Sequence, residues 1–283
     1  QAKIPKAMDA AFLDPQTESH RQIKALIDEF NAGQASKLQQ ELFKQVKRLN
    51  DAERSLQTKQ TKKALDDQRI AGNKIEQIKA KLADLQRADV RDRDSRIFPL
   101  VYAPVMVWED GARVVRPMRY QCRVAGKPAS YDRDYNGTYN ARRDNLEGFW
   151  RGQFGISHGL IVADAFYENV WKHAAEGRDL APGEKEENAI IEFRPNTGKG
   201  MLLACLWSHW ADRAGKEPDL LSFALITDDP PPEVLAAGHD RCPIPIKEEH
   251  IDAWLNPDPV NLAAQYAILD DRERPYYEHR MAA

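Results

Sequence analysis

The residues best able to do chemistry fall in two stretches. In the first, Tyr139 to Asn169, an amide (Asn140) and two guanidinium groups (Arg142, Arg143) follow a Tyr-Asn-Gly-Thr turn signal, and a carboxylate (Glu168) ends the apolar run Gly-Leu-Ile-Val-Ala-Asp-Ala-Phe-Tyr-Glu. A carboxyl drawn into apolar surroundings is harder to ionise, and one that titrates near neutrality can both give and take protons. The same glutamate could instead mark the point where a strand leaves the core for solvent. In the second stretch, Gly238 to Ile246, His239, Asp240 and Arg241 lie between two turn signals. An imidazole titrates near neutral pH and suits proton transfer, yet a loop histidine can also do no more than hold the Asp-Arg turn behind it.

The elements that must position these groups can be read from periodicity. Val101–Trp108 and Ala112–Val124 read as strands joined at Glu109-Asp110-Gly111, a hairpin signal. The run ending at Glu168 reads as one strand, as do Ile190–Phe193, Met201–Trp207 and Leu220–Thr227. Helices are expected at Asp144–Phe154, Pro232–Ala237 and Lys247–Leu255, loops at Lys127–Asn136 and Trp171–Asn188, and a tail with little pattern at 256–283. Many short strands without βαβ alternation exclude a doubly wound sheet.

The amino-terminal third is different. No proline occurs between Pro15 and Pro99. Ile23, Leu26, Ile27 and Phe30, then Leu38, Leu42, Val46, Leu49 and Leu56, follow helical spacing, and a second stripe uses Ile75, Ile78, Leu82 and Leu85. The polar stretch Gln57–Lys63 is the place for a reversal, which gives an antiparallel helical hairpin; one long helix is the competitor. Between Pro5 and Pro15 a short helix is expected to pack on the core. The domains are therefore 1–16 as a packing segment, 17–92 as a helical hairpin insertion, and 93–283 as the core.

The net charge of −3 does not advertise nucleic-acid binding, but it is uneven: residues 17–96 carry +5 and residues 97–283 carry −8. Any DNA contact on the second part must be a local basic patch. No apolar run approaches the ~20 residues of a membrane span, and no secretory signal is present. Cys122, Cys205 and Cys242 are widely spaced and odd in number, which points to a reducing cytoplasm without disulfides or zinc spacing. No metal or cofactor is expected.

Taken in order, Asn140-Ala141-Arg142, Phe166-Tyr167-Glu168, Leu206-Trp207 with Trp210, Ser222–Thr227, and His239-Asp240-Arg241 with Pro243 resemble the SOS-response-associated peptidase (SRAP) family over about 98–255. Tyr102-Ala103-Pro104 and Arg119-Tyr120 resemble two further segments of it. The resemblance implies an α+β fold: an antiparallel barrel-like β core with peripheral helices, from which the helical hairpin departs as an insertion. It implies binding of single-stranded DNA and covalent capture of abasic sites through an amino-terminal cysteine, with a self-processing peptidase activity that exposes that cysteine. Asn140, Glu168 and His239 would be the catalytic residues, and Arg142, Arg241 and Arg119 the DNA contacts. The sequence begins Gln1-Ala2-Lys3, so the cysteine is expected in a segment upstream. An internal cysteine cannot replace it, because the ring-closing chemistry needs an α-amine and a thiol on one residue. The family often has Trp after the glutamate; here Asn169 stands there, which removes a base-stacking ring. A non-catalytic module, with the helical arm docking DNA or a protein partner, is the alternative.

Overall fold

The computed structural model describes residues 4–135, 137–212 and 214–282. They divide into a helical unit up to Arg96 and a β unit from Ile97 onward. The helical unit holds α1 (Lys6–Ala11), α2 (Glu18–Thr58), α3 (Lys62–Gln86) and a 3-10 turn at Asp92–Ser95. Thr17 and Thr61 cap α2 and α3, each accepting a bond from the backbone N–H three residues on. Between the long helices only Lys59, Gln60 and Thr61 are non-helical, inside the expected reversal. Loss of apolar side chains, rather than glycine or proline, breaks the helix there. Ala52, Ala64 and Ala71 are buried with Ile27, Ile75 and Ile78, and an Arg48–Asp67 ion pair at 2.5 Å ties α2 to α3. The helix α1 falls within this unit, where Asp9 lies 3.6 Å from Lys24 of α2.

In the β unit, β1 (Tyr102–Glu109) and β2 (Ala112–Tyr120) form the expected hairpin. Its turn residues Asp110 (φ 50°) and Gly111 (φ 81°) are both left-handed, as a two-residue turn matched to strand twist requires. The helix α4 (Tyr131–Asp134) precedes β3 (Asn140–Arg142), β4 (His158–Ala163) and β5 (Phe166–Trp171). Then come α5 (Lys172–Ala175), β6 (Asn188–Pro195), β7 (Met201–Trp210), β8 (Leu220–Asp228), α6 (Pro232–Ala236) and β9 (Cys242–Pro243). The chain ends with α7 (Ile251–Leu255), α8 (Leu262–Asp270) and β10 (Tyr277–Met281).

Strands β2, β1, β4, β7 and β8 run antiparallel in that order, and a parallel pairing of β8 with β2 (Arg119 with Ser222, Tyr120 with Phe223) closes them into a barrel. The fold is thus α+β with a barrel core, as expected, but the barrel is mixed at its seam. β3 adds to β8 in parallel and β9 antiparallel. A separate antiparallel sheet has β6 between β5 and β10. Only glycine fits at 159: a Cβ there would lie 2.8 Å from the Val105 side chain and 3.0 Å from the Cys205 sulfur.

Several expectations are corrected. The run ending at Glu168 is two strands in two sheets, β4 and β5, broken at Asp164-Ala165; periodicity does not register a change of sheet. Glu168 accordingly sits in mid-strand, paired with Ile191, not at a strand end. Asp144–Phe154 is no α-helix: it starts in the short 3-10 turn Arg143–Asn145 and continues as turns, because the Asn145 side chain accepts the Phe149 N–H at 3.0 Å and so competes with helical bonding. The tail at 256–283 contains α8 and β10.

Candidate functional site

Two of the strands meet at β8. Asn140 and Arg142 lie on β3, whose register on β8 runs Asn140 to Leu225 and Arg142 to Thr227. Thr227 also pairs with Pro243 of β9, so the segment carrying His239, Asp240 and Arg241 is held to the same strand. That segment turns at Gly238 (φ 94°), where a Cβ would also meet Ala174 at 3.2 Å. Glu168 comes from β5, in the other sheet.

Sequence positions 168 and 239 converge: His239 Nε2 lies 3.1 Å from a Glu168 carboxylate oxygen, and both side chains are largely buried, 14% and 23% exposed. The Nε2 makes no well-formed hydrogen bond within the protein among the described residues. Arg241 donates to Asp240 at 2.9 Å. That bond holds the Asp240 carboxyl below the usual carboxylate range and raises Arg241, to which the charge of Glu168 also contributes. Tyr120 has its hydroxyl pushed up by burial and then by Glu168, so it stays protonated. Its ring stacks on Phe223 and meets Tyr139 edge-on.

Asn140, Arg142 and Arg241 line one open cavity of about 620 Å³, together with Thr138, Phe149 and Tyr131. The Thr138 hydroxyl is buried and unpartnered among the described residues, so the cavity wall holds an unused hydrogen-bonding group. Arg142 is 42% exposed and makes a 3.4 Å pair with Asp144, leaving most of its fork free.

Arg119 is elsewhere in kind. It is 9% exposed and donates to Asp132 at 2.7 Å and to the Gln121 carbonyl at 3.0 Å. Arg123 meets the same carboxylate. This buried ion cluster is where Arg119 was expected to face a phosphate; its charge is used inside the protein, since an unpaired buried guanidinium would be costly. Tyr120 and Tyr139, neighbours of Glu168 and Arg241, went unassigned in the sequence, where nothing but their flanking the Arg119 and Asn140 positions marks them.

The three cysteines are buried. Burial pushes the Cys122 and Cys242 thiols up to about 12 and raises Cys205 as well, so none supplies a thiolate. Among the described residues, Glu249, His250 and Asp271 bring three metal-capable groups within 4.8 Å of one another, but Asp271 already pairs with Lys247 at 2.5 Å. No helix among the described residues is long and apolar enough to cross a membrane.

Residues 57–281 match the family described as SOS response associated peptidase (SRAP). The chain belongs to that family. The match reaches beyond the expected 98–255 at both ends, taking in α3 and the carboxy-terminal β10. Solved structures similar to it include a Bordetella bronchiseptica protein, at 17% identity and TM-score 0.50 over 66% of this chain and 86% of that one. A Bacteroides thetaiotaomicron protein is similar at 14% identity and TM-score 0.50, over 65% and 75%. These likenesses bear on the fold. Among curated proteins none matches the chain.

Proposed function

We propose that this protein binds single-stranded DNA and forms a covalent link to abasic sites through an amino-terminal cysteine of its full-length form. The observation that carries this reading is the 3.1 Å approach of His239 to Glu168 beside Arg241, with Asn140 and Arg142 on the wall of the adjoining cavity. The abasic sugar opens to an aldehyde. An α-amine attacks that carbon, water leaves as the Schiff base forms, and the thiol of the same residue adds across the C=N bond to close a thiazolidine. Each step moves a proton at the sugar oxygen or the nitrogen. Glu168 is the group to give and take it, His239 bonds the opened hydroxyl, and Asn140 orients the sugar or the amine through its amide. Arg142 and Arg241 hold flanking phosphates. The same Glu–His pair serves a peptide cleavage of the kind the family name denotes.

The test is a denaturing gel of the full-length gene product mixed with single-stranded DNA bearing one abasic site, with undamaged strand as control. A shifted band that requires the abasic site and disappears when the first residue of the mature chain lacks a thiol is expected. Reversible binding without any shifted band replaces this reading with a non-catalytic DNA-binding module.

A further inference from the structure

The family resemblance gives the helical unit no task, yet its charge is distinctive. Residues 17–96 carry +5 while residues 97–283 carry −8, so the positive excess of the chain lies in the helical unit. The positive excess has a place to act. Near the reversal, α2 and α3 enclose a cleft of about 460 Å³ lined by Lys44, Lys47, Arg48 and Lys63, with the acids Asp51 and Asp67. Both acids are already matched: Asp67 binds Arg48 at 2.5 Å, and Asp51 lies 3.9 Å from Arg54. Lys44, Lys47 and Lys63 are exposed and take part in no ion pair among the described residues. The first turn of α3 has no acid and instead holds Lys62 and Lys63, where the helix dipole disfavours positive charge. Outside the cleft's lining but one turn before Lys47 on α2, Phe43 is 76% exposed.

We propose that this cleft is a second nucleic-acid contact, holding the phosphodiester backbone of a single strand with Lys44, Lys47 and Lys63 and offering Phe43 as a stacking face for an unpaired base. Unpaired lysines meeting phosphates release counterions, and a solvent-facing ring gains by stacking on a base. This rests on the reading that the chain handles DNA, but not on the crosslinking chemistry.

The probe is an undamaged oligothymidylate strand, titrated with the full chain across a salt series. Each phosphate contact contributes a slope of about 0.7 in log Kd against log salt for single strands. Lys44→Gln, Lys47→Gln and Lys63→Gln together should therefore lower the slope by about 2. Phe43→Ala should weaken binding about fivefold or more with the slope unchanged. Glutamine retains helix propensity, and circular dichroism checks that the helices persist. The control has Lys172, Lys185 and Lys199 of the β unit changed to Gln, the same loss of charge. A slope that stays at the parent value in the cleft variant, or falls as far in the control, overturns the proposal. Adduct formation at saturating abasic DNA reads the other site: an altered slope without any adduct sinks only the crosslinking reading, and an adduct with an unaltered slope sinks only this one.

Discussion

The helical unit and the β unit are stabilised by different means. In the hairpin, two neighbouring helices meet through alanines, isoleucines and an Arg48–Asp67 pair at the rim. In the β unit, residues far apart in sequence interlock: Trp254 is fully buried, its indole N–H donates to the Gly159 carbonyl at 2.9 Å, and its own carbonyl meets His158 Nδ1 at 3.0 Å. Local contacts are cheap to form and individually weak; long-range ones require chain closure first but fix side chains tightly. The Glu168–His239 pair sits in the second kind of environment, and three free lysines sit in the first. Fixed geometry suits proton transfer, and mobile surface charge suits a backbone contact.

The sharpest way to break that contrast is Glu168→Gln. It should slow adduct formation by about 10²–10⁴-fold, measured by timed quenching on a denaturing gel, with the thermal midpoint of either unit little changed. A rate within a few-fold of the parent would take proton transfer away from this residue. Trp254→Ala comes next. Removing a buried indole costs about 3–5 kcal/mol, read by urea unfolding followed through near-ultraviolet circular dichroism; a loss below about 1 kcal/mol would mean that the β unit collapses around the gap.

Acid separates the units by window. Burial holds the His158 imidazole neutral, its pKa down to about 3, while the unfolded chain takes up a proton near pH 6.5. The stability this histidine contributes is full above about pH 6.5 and is lost as pH falls toward 3, with a slope of up to about 1.4 kcal/mol per pH unit. His158→Gln should flatten that slope. In the helical unit Arg87 holds the Asp94 carboxyl below its ordinary value, so that contribution is present above about pH 4 and fades only at lower pH. Stability measured at each pH unit from 7 down to 2 checks both. Ile75→Ala, from a position 6% exposed between the helices, should cost about 2 kcal/mol. Arg48→Ala, from a partly exposed pair, should cost less than about 1 kcal/mol, both by chemical unfolding followed at the helical band. A larger effect for Arg48 would make the hairpin an electrostatic assembly after all.

Much of this was legible in the residues. The hairpin's stripes and its polar interruption gave both helices and their reversal, and Asp110-Gly111 gave the β1–β2 turn. Asn140, Glu168 and His239 were marked by motif order alone, and the meeting of Glu168 with His239 depends on a pairing of sheets that no local pattern encodes. The tail shows the limit. Leu262 to Leu269 is apolar with little sidedness, so no amphipathic stripe announces α8. β10 buries only Tyr277 and is otherwise exposed, so an edge strand there has no alternation to read. The Arg119 ion pair was not legible either: sequence shows that an arginine is present, not that an aspartate thirteen positions on will pair with it.

The shared mounting on β8 has one more implication. Because Thr227 pairs with Arg142 on one edge and Pro243 on the other, the spacing between the Asn140–Arg142 segment and the Arg241 turn is gauged by the width of a single strand. The long excursions between those segments can lengthen, shorten or exchange their residues without disturbing that gauge. A one-residue insertion within β8 itself would displace both jaws together and present the wrong faces. Relatives built on this frame should therefore tolerate large differences in their connecting segments and almost none in the length of this strand.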